Sequence, residues 1–120
     1  MFDRYPAVIH WGSLEVVPSS LRVYQKGRPV PLTLRQFEAL MSLFAHPDRV
    51  LSREDVWRFC REQEGKGAES RDPAYRMVDV YVAHLRRRLG EDMVETVRGV
   101  GYRLGPARGS TVVPSLKGSA

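Results

Sequence analysis

The spacing of apolar residues switches at Thr33 and switches back after Gly90, and few folds accommodate both changes. Between residues 8 and 32 the period is two. Leu14 and Val16 alternate with Glu15 and Val17, Leu21 and Val23 with Arg22 and Tyr24, and Val30 and Leu32 with Pro31. Period two sends alternate side chains to opposite faces of a strand. Breaks at Pro18-Ser19-Ser20 and at Lys26-Gly27 keep the runs short, which predicts a small antiparallel meander. A sheet of that size needs another element packed on its apolar face. Helical periods follow directly, so the chain is expected to be α+β.

Thr33 to Gln36 fits a capping box, in which the first and fourth residues exchange side-chain and backbone hydrogen bonds. Phe37, Leu40, Met41 and Phe44 then recur at helical spacing and are read as core, and His46-Pro47 ends the helix. Ser52 to Asp55 gives a second box, with Leu51 and Val56 at the two hydrophobic-staple positions. Val56, Phe59 and Cys60 continue an apolar face beside Trp57. Residues 61–72 are polar, contain glycine and carry mixed charge, as a loop or a frayed helix end does. Asp72-Pro73 offers an N-cap and a first-turn proline for a third helix over about 73–89, and Gly90 supplies its stop. Val94 to Arg98, Gly99-Val100-Gly101 and Tyr102 to Leu104 read as strand, turn and strand. The order of sheet, three helices and hairpin is the layout of a winged helix-turn-helix. The domain is expected over 8–105, with a flexible N-terminus at 1–7 and a disordered Gly, Ser and Pro-rich tail at 106–120.

Composition narrows the functional classes. A length of 120 residues with 42% hydrophobic and 28% charged side chains suits one domain with one core. A single cysteine, Cys60, excludes a disulfide framework and reads as a small buried apolar side chain. There is no apolar run long enough to span a membrane and no visible signal peptide, so a cytoplasmic, nucleoid-associated setting is expected. His10, His46 and His84 stand far apart and form no metal-ligand spacing. No nucleophile motif is present, so the expectation is neither an enzyme nor a cofactor or metal binder.

Charge is more informative by segment than in total. The net charge is +5, and all but Lys26, Lys66 and Lys117 of the basic residues are arginine. Residues 52–75 carry five basic and six acidic side chains, whereas 76–89 carry four arginines and one acid, Asp79. At 100° per residue, Ala74, Val78, Tyr81, Val82, Leu85 and Leu89 share the core face of the third helix. Arg76, Val80, Ala83 and Arg87 point the other way, with His84 on the flank. Small apolar groups between arginines suit a helix lying in the major groove of double-stranded DNA. They permit close approach, while arginines reach guanine edges and phosphates. Arg98 at the glycine turn suits the adjacent minor groove, and Thr96 suits a phosphate. Asp79 and Arg86 lie at similar helical angles, so Asp79 is expected to orient Arg86 or another arginine.

These residues resemble the OmpR/PhoB-type winged-helix effector domain of bacterial response regulators. The matching segments are Leu32-Thr33 with Phe37-Glu38-Ala39-Leu40, Val50 to Glu54 with Val56-Trp57, Arg76 to Val82 with Leu85 to Leu89, and Thr96 to Leu104. They cover about residues 8–105 in order. The resemblance implies a four-stranded N-terminal sheet, three helices and a C-terminal hairpin wing. It also implies that the third helix is the recognition helix of a transcription regulator in a two-component system, dimeric on tandem direct repeats of DNA. By position, Arg76 resembles a phosphate-contacting arginine, Val80 a residue that packs on thymine methyls, Thr96 a backbone contact and Arg98 the minor-groove residue of the wing. Arg87 and His84 are the candidates for base reading, and Arg76, Arg86, Arg88 and Thr96 for positioning.

The chain departs from the family pattern in three places. Ala83 and His84 stand where relatives often carry longer polar side chains, so the recognition sequence does not transfer. The 18 residues 58–75 exceed the usual length of a region that, in the family, includes a loop touching RNA polymerase. A protein-interaction module contacting RNA polymerase through 58–75 is therefore the second reading. A receiver domain, typical of the family, does not fit in this length, which leaves a separated effector domain or a stand-alone regulator.

Overall fold

In a computed structural model, residues 2–64 and 75–107 are described. Four strands, β1 (Ile9–Trp11), β2 (Leu14–Val17), β3 (Arg22–Gln25) and β4 (Arg28–Pro29), form an antiparallel meander in sequence order. Three helices follow: α1 (Leu34–Ala45), α2 (Arg53–Glu64) and α3 (Arg76–Leu89). A hairpin of β5 (Val94–Val97) and β6 (Gly101–Leu104) completes the described fold. This is the expected α+β winged helix-turn-helix.

The sheet follows the period-two pattern only in part. Ile9 pairs with Val16 and Val16 with Val23, and all three are buried against the helices with Trp11 and Leu14. Leu21, expected in the same alternation, lies outside it. A single 3-10 turn at Pro18–Ser20 ends with Leu21 in the left-handed region, at φ 57°, and leaves it 47% exposed. Its N–H donates to the Pro18 carbonyl, so the turn rather than the strand sets its direction. The expected strand over Val30–Leu32 is also displaced, because β4 stops at Pro29. Val30 keeps one bond, from its N–H to the Val23 carbonyl, and Val30 and Leu32 pack partly buried on the core as the chain leaves the sheet.

Both capping boxes form. Gln36 N–H donates to Thr33 Oγ1 (3.2 Å) and Thr33 N–H to Gln36 Oε1 (3.1 Å). Asp55 N–H donates to Ser52 Oγ and Ser52 N–H to Asp55 Oδ2, each at 3.0 Å. The staple residues Leu51 and Val56 are buried. The α1 stripe of Phe37, Leu40, Met41 and Phe44 is core, where each large side chain contributes about 1.5–3 kcal/mol. Glu38 is wholly buried and accepts from Arg35 Nη1 at 2.8 Å, as an enclosed carboxylate requires a partner. Cys60 is buried on α2.

Two other boundaries differ from the reading of the sequence. Residues 61–64 continue α2, and 65–74, with the proposed Asp72-Pro73 cap, lie outside the described residues. Packing on the core begins upstream of residue 8. Phe2 meets Phe37 edge-on at 5.6 Å, and the Tyr5 hydroxyl donates to the Met41 carbonyl at 2.6 Å, with burial raising the phenol's pKa. The tail from 108 onward lies outside the described residues.

The hairpin is joined to the rest by backbone. Leu51 and Tyr102 exchange both N–H···O bonds at 2.8 Å, a one-residue strand between α1 and α2. Gly101 is what allows this approach, since a Cβ there would lie 1.9 Å from the Leu51 oxygen and 2.8 Å from Ser52 Cα. Gly101→Ala is expected to cost about 1–3 kcal/mol, read from the urea midpoint. Asp55 makes a second prediction. The bond from the Ser52 N–H, ahead of the Ser52 hydroxyl and nearby arginines, holds its pKa below the ordinary value. The stability so gained is present above the unfolded carboxylate pKa of about 3.9 and is lost as pH falls through the folded value. Asp55→Asn should therefore be less stable near neutrality and lose less on acidification.

Candidate nucleic-acid interface

The core face of α3 is as the helical period required: Val78, Val82, Leu85 and Leu89 are buried and Tyr81 is partly so, while Ala74 lies outside the described residues. The helix begins at Arg76 after Tyr75, which makes no side-chain cap, and ends at Gly90, where φ is 115°. Gln25 of β3 donates from Nε2 to the Leu89 carbonyl at 2.8 Å, so the sheet satisfies the last turn. Opposite the core, Arg76, Val80, Ala83 and Arg87 are exposed, Val80 to 46%. Arg88 is exposed on the flank, beside half-buried His84. The His84 Nδ1 is enclosed without a hydrogen-bond partner among the described residues.

The wing turns tightly. Val100 N–H donates to the Val97 carbonyl at 2.9 Å, and Gly99 takes a φ of 77°. Arg98 therefore stands at the exposed tip beside Val100, which is 56% exposed. Arg76, Arg87, Arg88 and Arg98 form no ion pair among the described residues. Two arginines of α2 behave differently: Arg58 pairs with Glu54 at 2.6 Å and reaches Asp55 at 3.7 Å, and Arg53 pairs with Asp79. Uncompensated positive charge is thus found on α3 and the wing tip, whereas these two arginines of α2 are paired.

Asp79 pairs with another arginine, Arg53, rather than with Arg86. Its Oδ2 accepts from Arg53 Nη1 at 2.8 Å and its Oδ1 from the Tyr102 hydroxyl at 2.6 Å. Arg86 turns to β5 instead. Its Nε and Nη2 donate to the Val94 carbonyl at 3.0 and 2.8 Å, its Nη2 also to Thr96 Oγ1 at 2.7 Å, and its guanidinium carbon lies 5.9 Å from the Tyr102 ring centre. Thr96, expected to face a phosphate, thus already accepts one bond. Arg53 and Tyr102 were not singled out in the sequence. The available signal was the position of Asp79, an acid among arginines that had to be matched by something.

The profile of the family described as "Transcriptional regulatory protein, C terminal" matches residues 27–104. The chain belongs to this family. The transcriptional regulatory protein CseB of Streptomyces coelicolor is 40% identical over 101 residues, covering 81% of this chain and 39% of CseB. The chain spans about two fifths of the length of the curated relatives it matches. Among solved structures, the response regulator AdeR DNA-binding domain in complex with an intercistronic region is 28% identical. Its TM-score is 0.65 over 80% of this chain and 97% of that one. The Klebsiella pneumoniae RstA DNA-binding domain in complex with the RstA box is 26% identical, with a TM-score of 0.67 over 84% and 99%. The family is one of transcriptional regulators rather than enzymes, and the OmpR/PhoB-type resemblance of the motifs holds. Among the described residues, no helix is long and apolar enough to cross a membrane.

Burial, then the bond and charge of Asp79, push the Tyr102 pKa up to about 12. A raised phenol contributes stability that is complete below its unfolded pKa of about 10 and is lost as pH rises through the folded value. Asp79→Asn should shift one tyrosine ionisation to lower pH in ultraviolet difference spectra. An unchanged titration would contradict the Asp79–Tyr102 bond.

Proposed function

We propose that the chain is the sequence-specific, double-stranded-DNA-binding domain of a transcription regulator, with α3 in the major groove and the wing in the minor groove. The observation that carries this reading is the set of exposed, unpaired arginines on α3 and the wing tip, set around small apolar Val80 and Ala83. A helix face meant only for water has no use for an uncovered valine between arginines. In this reading Arg76 and Arg88 fix the helix on phosphates, Val80 and Ala83 allow close approach, and Arg87 and His84 read base edges. Arg98 enters the minor groove, where an arginine gains from the narrow, negative channel. Arg86 and Thr96 act where helix and wing join. The DNA complexes of AdeR and RstA domains with this fold support the assignment. Two copies on a tandem direct repeat, a receiver domain elsewhere in the full protein and a cytoplasmic, nucleoid-associated location belong to the same reading. The extended segment 58–75 is the proposed place for RNA polymerase, on its length and its five basic and six acidic side chains over 52–75.

Selection from random duplexes should enrich one motif occurring as a direct repeat, and uniform enrichment would sink the specificity claim. If the four unpaired arginines each displace a counter-ion, affinity should fall with salt at a log–log slope of about −3 to −4. A nearly flat slope would rule out this docking. Charge reversal at Arg87 and Arg98 should abolish binding, whereas a module that acts through protein contact would keep its function.

A further inference from the structure

The hairpin buries side chains fully only at its base, and Tyr102 packs half-buried against the core. Val94 and Leu104, paired at its open end, are its buried side chains, and toward the tip the strands alternate between half-buried and exposed. The packed side chains stop short of the tip that carries Arg98. Two polar attachments to α3, together with the Leu51 bridge, hold the hairpin from its base to Tyr102. On β6, the Tyr102 hydroxyl reaches Asp79, itself tied to Arg53 of α2. On β5, Arg86 grips the Val94 carbonyl with two nitrogens and the Thr96 hydroxyl with one of them. Asp79 and Arg86 are seven residues apart, about 10 Å along the helix, so the two attachments lie on one flank and resist rotation about either one. The Tyr102 ring lies between them, under the Arg86 guanidinium.

We propose that Asp79, Tyr102 and Arg86 form a two-point clamp that fixes the angle between α3 and the wing. They are positioning residues for DNA binding, and Arg86 does not neutralise a phosphate. The inference about DNA rests on the function proposed above, but the clamp itself is a property of the free protein. Its geometry uses arginine's fork: Arg86 spends Nε and Nη2 on β5, which a lysine ammonium cannot reproduce from one point. Three of the five N–H donors of Arg86 are engaged on β5, whereas Arg76, Arg87 and Arg88 have no such internal partners among the described residues.

The test uses the full chain with Arg86→Met, Arg86→Lys, Tyr102→Phe and Asp79→Asn. Without DNA, amide exchange in β5 and β6 should speed up in all four while that of α1 stays unchanged. Unchanged exchange in the hairpin, or equal acceleration everywhere, overturns the clamp whether or not DNA is bound. With the selected duplex, Arg86→Met should weaken binding about tenfold at unchanged salt slope, whereas loss of a phosphate contact lowers the slope by about 0.9. Arg98→Ala should weaken the wild type several-fold and the Arg86→Met variant far less, the non-additivity expected of coupled residues. A reduced slope, or strictly additive losses, overturns the positioning role. If the wild type binds no duplex, the function proposed above fails, and the exchange arm still decides the clamp.

Discussion

The reciprocal backbone pair between Leu51 and Tyr102 governs the geometry of this domain. It is one ladder rung, made between a residue leaving a loop and a residue in the last strand. It brings the start of α2 beside the wing, and Arg53 and Tyr102 converge on Asp79 from opposite sides. Without it the hairpin would rest on its buried base, the Tyr102 ring and side-chain bonds to α3. The pairing exists because position 101 has no side chain, so a single missing methyl group on the wing decides where the second helix begins relative to the third.

What was legible in the sequence is what depends on near neighbours. Both capping boxes, the hydrophobic staple at Leu51 and Val56, the α1 stripe and the core face of α3 involve residues three or four apart, where helix geometry leaves little choice. The sheet was less legible. Leu21 has the right spacing for an inward strand residue, but the turn at Pro18–Ser20 closes on it with a positive φ and turns it to solvent. Val30 and Leu32 have strand spacing as well, but Pro31 between them offers no N–H for a ladder, and β4 ends two residues earlier.

The proposed interface divides in the same way. Angles around a helix correctly put Arg76, Val80, Ala83 and Arg87 on the outside, because exposure follows from where the core lies. The same angles place Asp79 and Arg86 together on one flank, yet of the two partners expected for Asp79, Arg86 or another arginine, the structure gives the other arginine, Arg53. Shared angle says nothing about partners when another element lies against that flank. The hairpin does, so Asp79 turned to Arg53 and Tyr102, and Arg86 to Val94 and Thr96. Long-range polar pairing is invisible to periodicity, since it depends on how remote strands are brought in.

One buried bond has a consequence for how the domain is made. The Trp11 indole N–H, in the first strand, donates at 3.0 Å to the carbonyl of Gly105, after the last. The two residues are separated by 94 positions, so this contact closes almost the entire described chain into a loop. Closing so long a loop is entropically unfavourable and is repaid only when the core it encloses is complete. During synthesis the four sheet strands can pair with their sequence neighbours, but the Trp11 indole stays without this partner until Gly105 has been made. A chain broken off anywhere before Gly105 keeps its first strand paired with the second but leaves the Trp11 indole N–H without this acceptor.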